Sequence, residues 1–206
     1  MRSTLVLAPL FALASALVAP PLKSDAREQI AVIAAHPERW YWFTLLLLIG
    51  SILLVPALLW IIGLVRTRAP RLADVGGALA LLGAVIAVGD VMTQFLSWQM
   101  VKGDADPAQM AALLDRFQNA GGVGIVFSVG GLSILIGCVL LTIGLIRHHL
   151  APTWAALGFS LAVVVNIVGF TAASNAVVAA SWVVLLVSMG GLAARPEALR
   201  PAVAGA

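Results

Sequence analysis

From Leu150 to Ala194 the chain runs for 45 residues without a charged side chain. As one helix at about 1.5 Å per residue this run would be roughly 67 Å long, more than twice the ~30 Å hydrocarbon core of a bilayer. It therefore has to fold back on itself. In lipid every backbone N–H and C=O must be paired within its own segment, so the form open to it is a hairpin of two apolar helices. Small and polar residues from Thr171 to Asn175 mark the turn, predicting helices over 153–172 and 175–194 with Pro152 just inside the start of the first.

The rest of the chain follows the same rule. Of its 206 residues 62% are hydrophobic and 10% charged, and the mean hydropathy is +1.06, outside the range of soluble domains. Four more apolar runs predict spans over 4–21, 40–65, 72–99 and 122–146, of which 72–99 alone carries charge, at Asp74 and Asp90. The expected fold class is all-α: a polytopic membrane helix bundle with six transmembrane helices, forming one integral membrane domain over residues 1–206. Residues 4–21 also fit a signal peptide, with Ala-Leu-Val-Ala before Pro20 as a poor cleavage site. Their length, and the small face formed by Ala8, Ala12 and Ser15, favour a retained first helix. Trp40, Tyr41 and Trp42 open the second span as an interfacial aromatic belt, and Pro56 within it predicts a kink.

Two connections are long enough to hold short amphipathic outer helices. The first is expected over 25–35, capped by Ser24, with Ile30, Ile33 and Ala34 on its apolar side. The second is expected over 107–118, where Asp106 as N-cap, Pro107 at the first helical position and Gln109 make a strong start. Met110, Leu113, Leu114 and Phe117 share one face of that helix and form a candidate partner-binding face.

The net charge of +3 and pI of 9.8 would suggest nucleic acid in a soluble protein. Here the basic residues flank apolar spans, so they speak to orientation and not to nucleic acid. With the N-terminus inside, Arg2, Arg66, Arg68, Arg71, Arg147, Arg195 and Arg200 fall on one side and Lys23, Arg27, Arg39, Lys102 and Arg116 on the other. That bias places the chain in the cell membrane with both termini cytoplasmic. Cys138 is the only cysteine, which excludes an intrachain disulfide, a CxxC pair and a cysteine-rich metal site.

The chain also echoes itself. Lys23-x-Asp25-Ala matches Lys102-x-Asp104-Ala, and Gly63-Leu-Val-Arg66 matches Gly144-Leu-Ile-Arg147. Ala69-Pro70 then matches Ala151-Pro152 with one residue inserted, and Gly191-Leu192 followed by Arg195 is a third trace. The echo predicts three tandem hairpins, the third lacking an outer helix; convergence on common helix-end chemistry is the alternative.

One carboxylate stands apart. Asp90 lies about ten residues from the far end of the third span, near mid-membrane, where an ionisable group needs a protein or water environment. At heptad spacing it shares a seam with Gly76, Gly83 and Ser97, beside Ala80, Ala87 and Gln94. Such a seam faces another helix or a cavity. Matching seams are Gly130, Ser133, Gly137 and Gly144 in the fourth span and Gly158, Ala162, Asn166 and Gly169 in the fifth. Ser174, Ser181 and Ser188 form that of the sixth. The candidate polar pocket is thus Asp90, Gln94, Ser133, Asn166 and Ser181.

Enzyme readings mostly fail on missing partners, and an intramembrane enzyme stays open as a third reading. Val88-Gly89-Asp90 is similar to the Gly-Asp pair of intramembrane aspartyl proteases, but that chemistry needs two carboxylates at one site, and Asp74 lies near the opposite face. There is no GxSxG, no HExxH and no phosphate-cradling loop. His36 lies outside while His148 and His149 lie inside, which does not suit a haem. No catalytic residue, cofactor or metal site is expected.

In layout, with six short spans, two outer helices and Arg-ended hairpins, the chain resembles the small multi-pass bacterial membrane proteins classed as domains of unknown function. That resemblance implies the architecture and carries no site residue. Two functions follow from the residues. One is non-enzymatic binding or conduction of a small molecule or ion through the Asp90 pocket. The other is a scaffold or assembly subunit that meets a membrane-protein partner or a second copy of itself through the 107–118 helix.

Overall fold

The computed structural model describes residues 2–103, 105–119 and 121–194. Asp104, Arg195 and Arg200, which entered the repeat and the charge count, lie outside the described residues. Eight helices form among those described: α1 (Thr4–Val18), α2 (Ala26–Ala35), α3 (Pro37–Arg66), α4 (Pro70–Met100), α5 (Pro107–Asn119), α6 (Gly121–Arg147), α7 (Thr153–Thr171) and α8 (Asn175–Ala193). Five of them, α3, α4, α6, α7 and α8, are long and apolar enough to cross a membrane, as a multi-pass membrane protein requires.

The first predicted span, 4–21, is shorter than expected. α1 has 15 residues, about 22 Å of rise, and stops before 21. Pro20 and Pro21 are the cause, since neither has an N–H and a residue before proline is pushed out of the helical region. Ala19 accordingly sits at φ −52° and ψ 132°. Arg39 closes this end by donating from Nε to the Val18 carbonyl and from Nη2 to that of Ala19, both at 3.2 Å. Asn175 holds the following linker from the start of α8: its Oδ1 accepts the Leu22 N–H at 2.9 Å, and its Nδ2 donates to the Pro20 carbonyl at 3.0 Å.

The helices form a ring in the order α1, α3, α4, α6, α7, α8 and back to α1. The three most extensive contacts lie within the hairpins α1/α3, α4/α6 and α7/α8, so the chain is three antiparallel pairs set side by side. Small residues explain the closeness. A Cβ added at Gly83 would stand 2.6 Å from the Gly130 carbonyl oxygen, and one at Gly137 would stand 2.6 Å from that of Gly76. These are backbone-to-backbone approaches that a side chain would prevent. In α7/α8 the Ser188 side chain packs at Gly158, and the Val178 backbone comes close to Gly169. The seam between α6 and α7 is the loosest of the six. It is bonded at one end, where Thr142 donates to the Ala156 carbonyl at 3.0 Å and lies 2.7 Å from the Ser160 hydroxyl.

At that end of the ring the interior is a solid apolar core of residues such as Ile61, Val65, Leu141, Leu145, Met189 and Leu192. The short turns Thr67–Ala69 and His148–Pro152 lie here, and His149 in the second has φ 50°. At the other end α2 and α5 pack on each other through Ala26, Ile30, Ala111 and Leu114, with Met100 from the end of α4 in the same cluster. Asp25, not Ser24, caps α2, accepting from the Arg27 and Glu28 N–H groups at 3.0 Å. A carboxylate is the stronger acceptor at a helix N-terminus. Asp106 starts α5 as expected, accepting from the Ala108 N–H at 2.9 Å. α3 passes Pro56 as one continuous helix. The third hairpin turns through Ala172–Ser174 with no outer helix.

Candidate functional site: a two-chambered cavity

Because the six helices stand in a ring, the half of the bundle beneath α2 and α5 is hollow. An inner chamber of about 210 Å³ lies toward the packed core. An outer chamber of about 800 Å³ lies toward the capped end. Six residues line both and so form the neck between them: Ser51, Ala87, Asp90, Phe127, Asn166 and Trp182. They come from α3, α4, α6, α7 and α8, one helix or more from each hairpin.

The inner chamber beyond the neck is apolar, with Leu54, Leu58, Phe159, Val163 and Leu185 in its wall. The outer chamber is mixed. Its rim carries exposed Gln118, Asn119 and Thr171, and six aromatic residues are in its lining: Trp40, Phe43, Phe117, Phe127, Phe170 and Trp182. Trp40 is fixed there, 2% exposed and donating from Nε1 to the Gln94 carbonyl at 3.0 Å. That bond joins the first hairpin to the second at the chamber wall.

Asp90 sits in the neck about 15 Å along α4 from its Met100 end, at 1.5 Å per residue. Its main-chain carbonyl accepts from the Thr93 hydroxyl at 2.7 Å, but its carboxylate has no hydrogen bond or ion pair among the described residues. Lys23 is the one basic residue lining either chamber among those described, and its ammonium lies 3.1 Å from Glu28 at the rim. The far-end carboxylate is different in kind: Asp74 is exposed and paired with Arg66, whose Nε donates to it at 2.9 Å.

Of the other predicted pocket residues, Asn166 is in the neck and Gln94 lines the outer chamber. Ser181 is fully buried one layer behind. Its hydroxyl accepts from Asn166 Nδ2 at 2.9 Å and donates to the Val178 carbonyl at 2.6 Å, so it orients Asn166 without reaching the cavity. Ser133 is buried in the packing of α6 and lines neither chamber. Sequence reasoning missed two residues that matter. Trp182 Nε1 in the neck and Gln29 Nε2 in the outer wall are both buried without a hydrogen-bond partner among the described residues. A tryptophan seven residues inside a span, away from any interfacial belt, was the available signal for the first. Gln29 gave none, because a glutamine on a short polar helix reads as solvent-facing.

The 107–118 face divides. Leu114 is buried against α2, and Phe117 lines the outer chamber. Met110 and Leu113 border a shallow apolar groove of about 340 Å³ against Leu96 and Met100. Among the described residues no second carboxylate lines the cavity and no group of three His, Cys, Asp or Glu stands together. Cys138 is buried in the inner wall. The arrangement can therefore hold a guest by charge, aromatic contact and apolar burial. No family model, no curated protein and no solved structure matches the chain.

Proposed function

We propose that the protein is a cell-membrane binding protein for a small molecule, which it takes up in the central cavity with Asp90 as the polar anchor. The observation that carries this reading is the unpartnered Asp90 carboxylate in the neck between two chambers. An ionisable group at membrane depth without a protein partner is costly and is tolerated where a ligand or water meets it. The combined space is of ligand-pocket size, as pockets run from about 300 to 1,000 Å³. Binding is favoured over conduction because the core around Ile61, Leu141 and Leu192 closes the other half of the bundle. Both termini are taken as cytoplasmic, which turns the capped end and the cavity mouth outward. The scaffold reading has less support, since Leu114 and Ala111 are occupied by packing on α2.

The test is access to the neck. With Cys138 replaced by alanine, Ala87→Cys should react with a small hydrophilic thiol reagent in membranes. If the introduced thiol stays unreactive until the protein is denatured, the seam is closed and the binding reading fails.

A further inference from the structure

The chemistry of the cavity wall narrows what it can hold. We infer that the guest is an organic cation, an ammonium bearing a short alkyl or aryl group, with the charged head in the neck against Asp90 and the apolar group in the inner chamber. This rests on the small-molecule reading above and adds to it a charge and a direction.

Three features converge. Asp90 brings a carboxylate with no basic side chain beside it; its ionised form repels an anionic guest, is left without a counter-charge by a neutral one and is matched by a cation. The outer chamber, which adjoins the neck, has six aromatic side chains in its lining. Ring faces attract cations within about 6 Å of the centroid and do so most effectively where water is excluded. The same protein shows that contact on its surface, where the Lys102 ammonium lies 3.4 Å from the centroid of Trp98. Past the neck the wall turns apolar, with Leu54, Leu58, Phe159 and Leu185, which suits a hydrocarbon group and not a hydrated ion.

An inorganic cation fits poorly. A hard divalent ion takes about six to eight oxygen ligands at 2.3–2.6 Å, whereas the neck offers one carboxylate, one amide and one hydroxyl among rings and methyl groups. Ammonium groups are content with one carboxylate and a surround of ring faces.

Three probes of similar size separate the charge classes: phenethyltrimethylammonium, neutral N-(2-phenylethyl)acetamide and anionic 3-phenylpropionate. Each is titrated calorimetrically into the full chain in lipid nanodiscs, with empty nanodiscs subtracted. The cation should bind at least about tenfold more tightly than the neutral probe, a difference of about 1.4 kcal/mol. Asp90→Asn keeps the shape and removes the charge. It should abolish that preference between the cation and the neutral probe, and a cooperative thermal unfolding transition of the same nanodisc sample shows that the variant is folded. Ala87→Phe, which fills the neck, should weaken both.

Equal or tighter binding of the neutral or anionic probe, or a cation preference that survives Asp90→Asn, would overturn the cation assignment while leaving the cavity in place. Failure of all three probes overturns it too. The Ala87→Cys reaction then decides whether the small-molecule reading falls with it.

Discussion

Asp90 poses a choice that stability measurements can make. If the carboxylate tied helices together, replacing it would loosen the bundle. In the structure it ties nothing, since its side chain has no hydrogen bond or ion pair among the described residues while Asn166, its neighbour in the neck, is held by Ser181. A group kept for a ligand is commonly a destabilising one in the ligand-free protein, and removing it stabilises by about 0.5–2 kcal/mol. Asp90→Asn should therefore raise the unfolding midpoint of the ligand-free protein in a fixed detergent. A fall would assign Asp90 a structural role instead. Asn175 is the opposite case. It makes two hydrogen bonds to the Pro20–Leu22 linker, each worth about 0.5–1.5 kcal/mol net, so Asn175→Ala should destabilise the protein in the same detergent by about 1–3 kcal/mol. Asp90 could be read from the sequence because a lone charge in an apolar run violates a rule. Asn175 could not, because an asparagine at a turn is ordinary, and its partners lie 153 and 155 residues away. Trp182 and Gln29 belong with Asn175: what singles them out is a missing partner, which only three dimensions reveal.

Among helices the ring is governed by where side chains are absent. The α4/α6 pair meets through Gly76, Gly83 and Gly137, whose added Cβ atoms would all strike the facing helix, whereas Gly63, Gly89 and Gly190 have nothing within 4 Å of theirs. The two sets should answer the same substitution with opposite signs. Gly137→Ala should destabilise by about 1–3 kcal/mol through overpacking. Gly190→Ala should be neutral or stabilising by up to about 1 kcal/mol, because alanine favours a helix where space allows it. Thermal unfolding of the two variants side by side checks the pair; losses of equal size would mean that α4 and α6 do not approach as closely as they do here. The seams were readable in the sequence because heptad spacing puts small residues on one face. What covers a face was less so. Met110, Leu113, Leu114 and Phe117 do lie together, yet the face meets α2, the end of α4 and the cavity. Nothing in the local pattern says that another outer helix stands there.

Taken together, the three hairpins make a cup, open under α2 and α5 and closed by the apolar core at the opposite end. Which way the cup faces decides whether the guest comes from outside the cell or from the cytoplasm. The charged residues distinguish the ends through their short loops, where positive charge sets orientation most strongly. Arg66, Arg68 and Arg71 crowd the turn between α3 and α4, and Arg147 ends α6 at the same side. The short turn at the capped end, Ala172–Ser174, has no charge, and the two longer connections there mix Lys23, Arg27, Lys102 and Arg116 with Asp25, Glu28, Asp106 and Asp115. The cup should thus open away from the cytoplasm. Thr67 and Ala112 are exposed at the two ends, and Cys138 is buried, so single cysteines can report on this once Cys138 is replaced by alanine. In intact cells a membrane-impermeant maleimide should label Ala112→Cys and leave Thr67→Cys untouched until the membrane is permeabilised. The reverse pattern would turn the mouth toward the cytoplasm. An organic cation would then reach Asp90 from inside the cell, and the positive-inside argument would fail for a chain whose basic residues are so evenly shared.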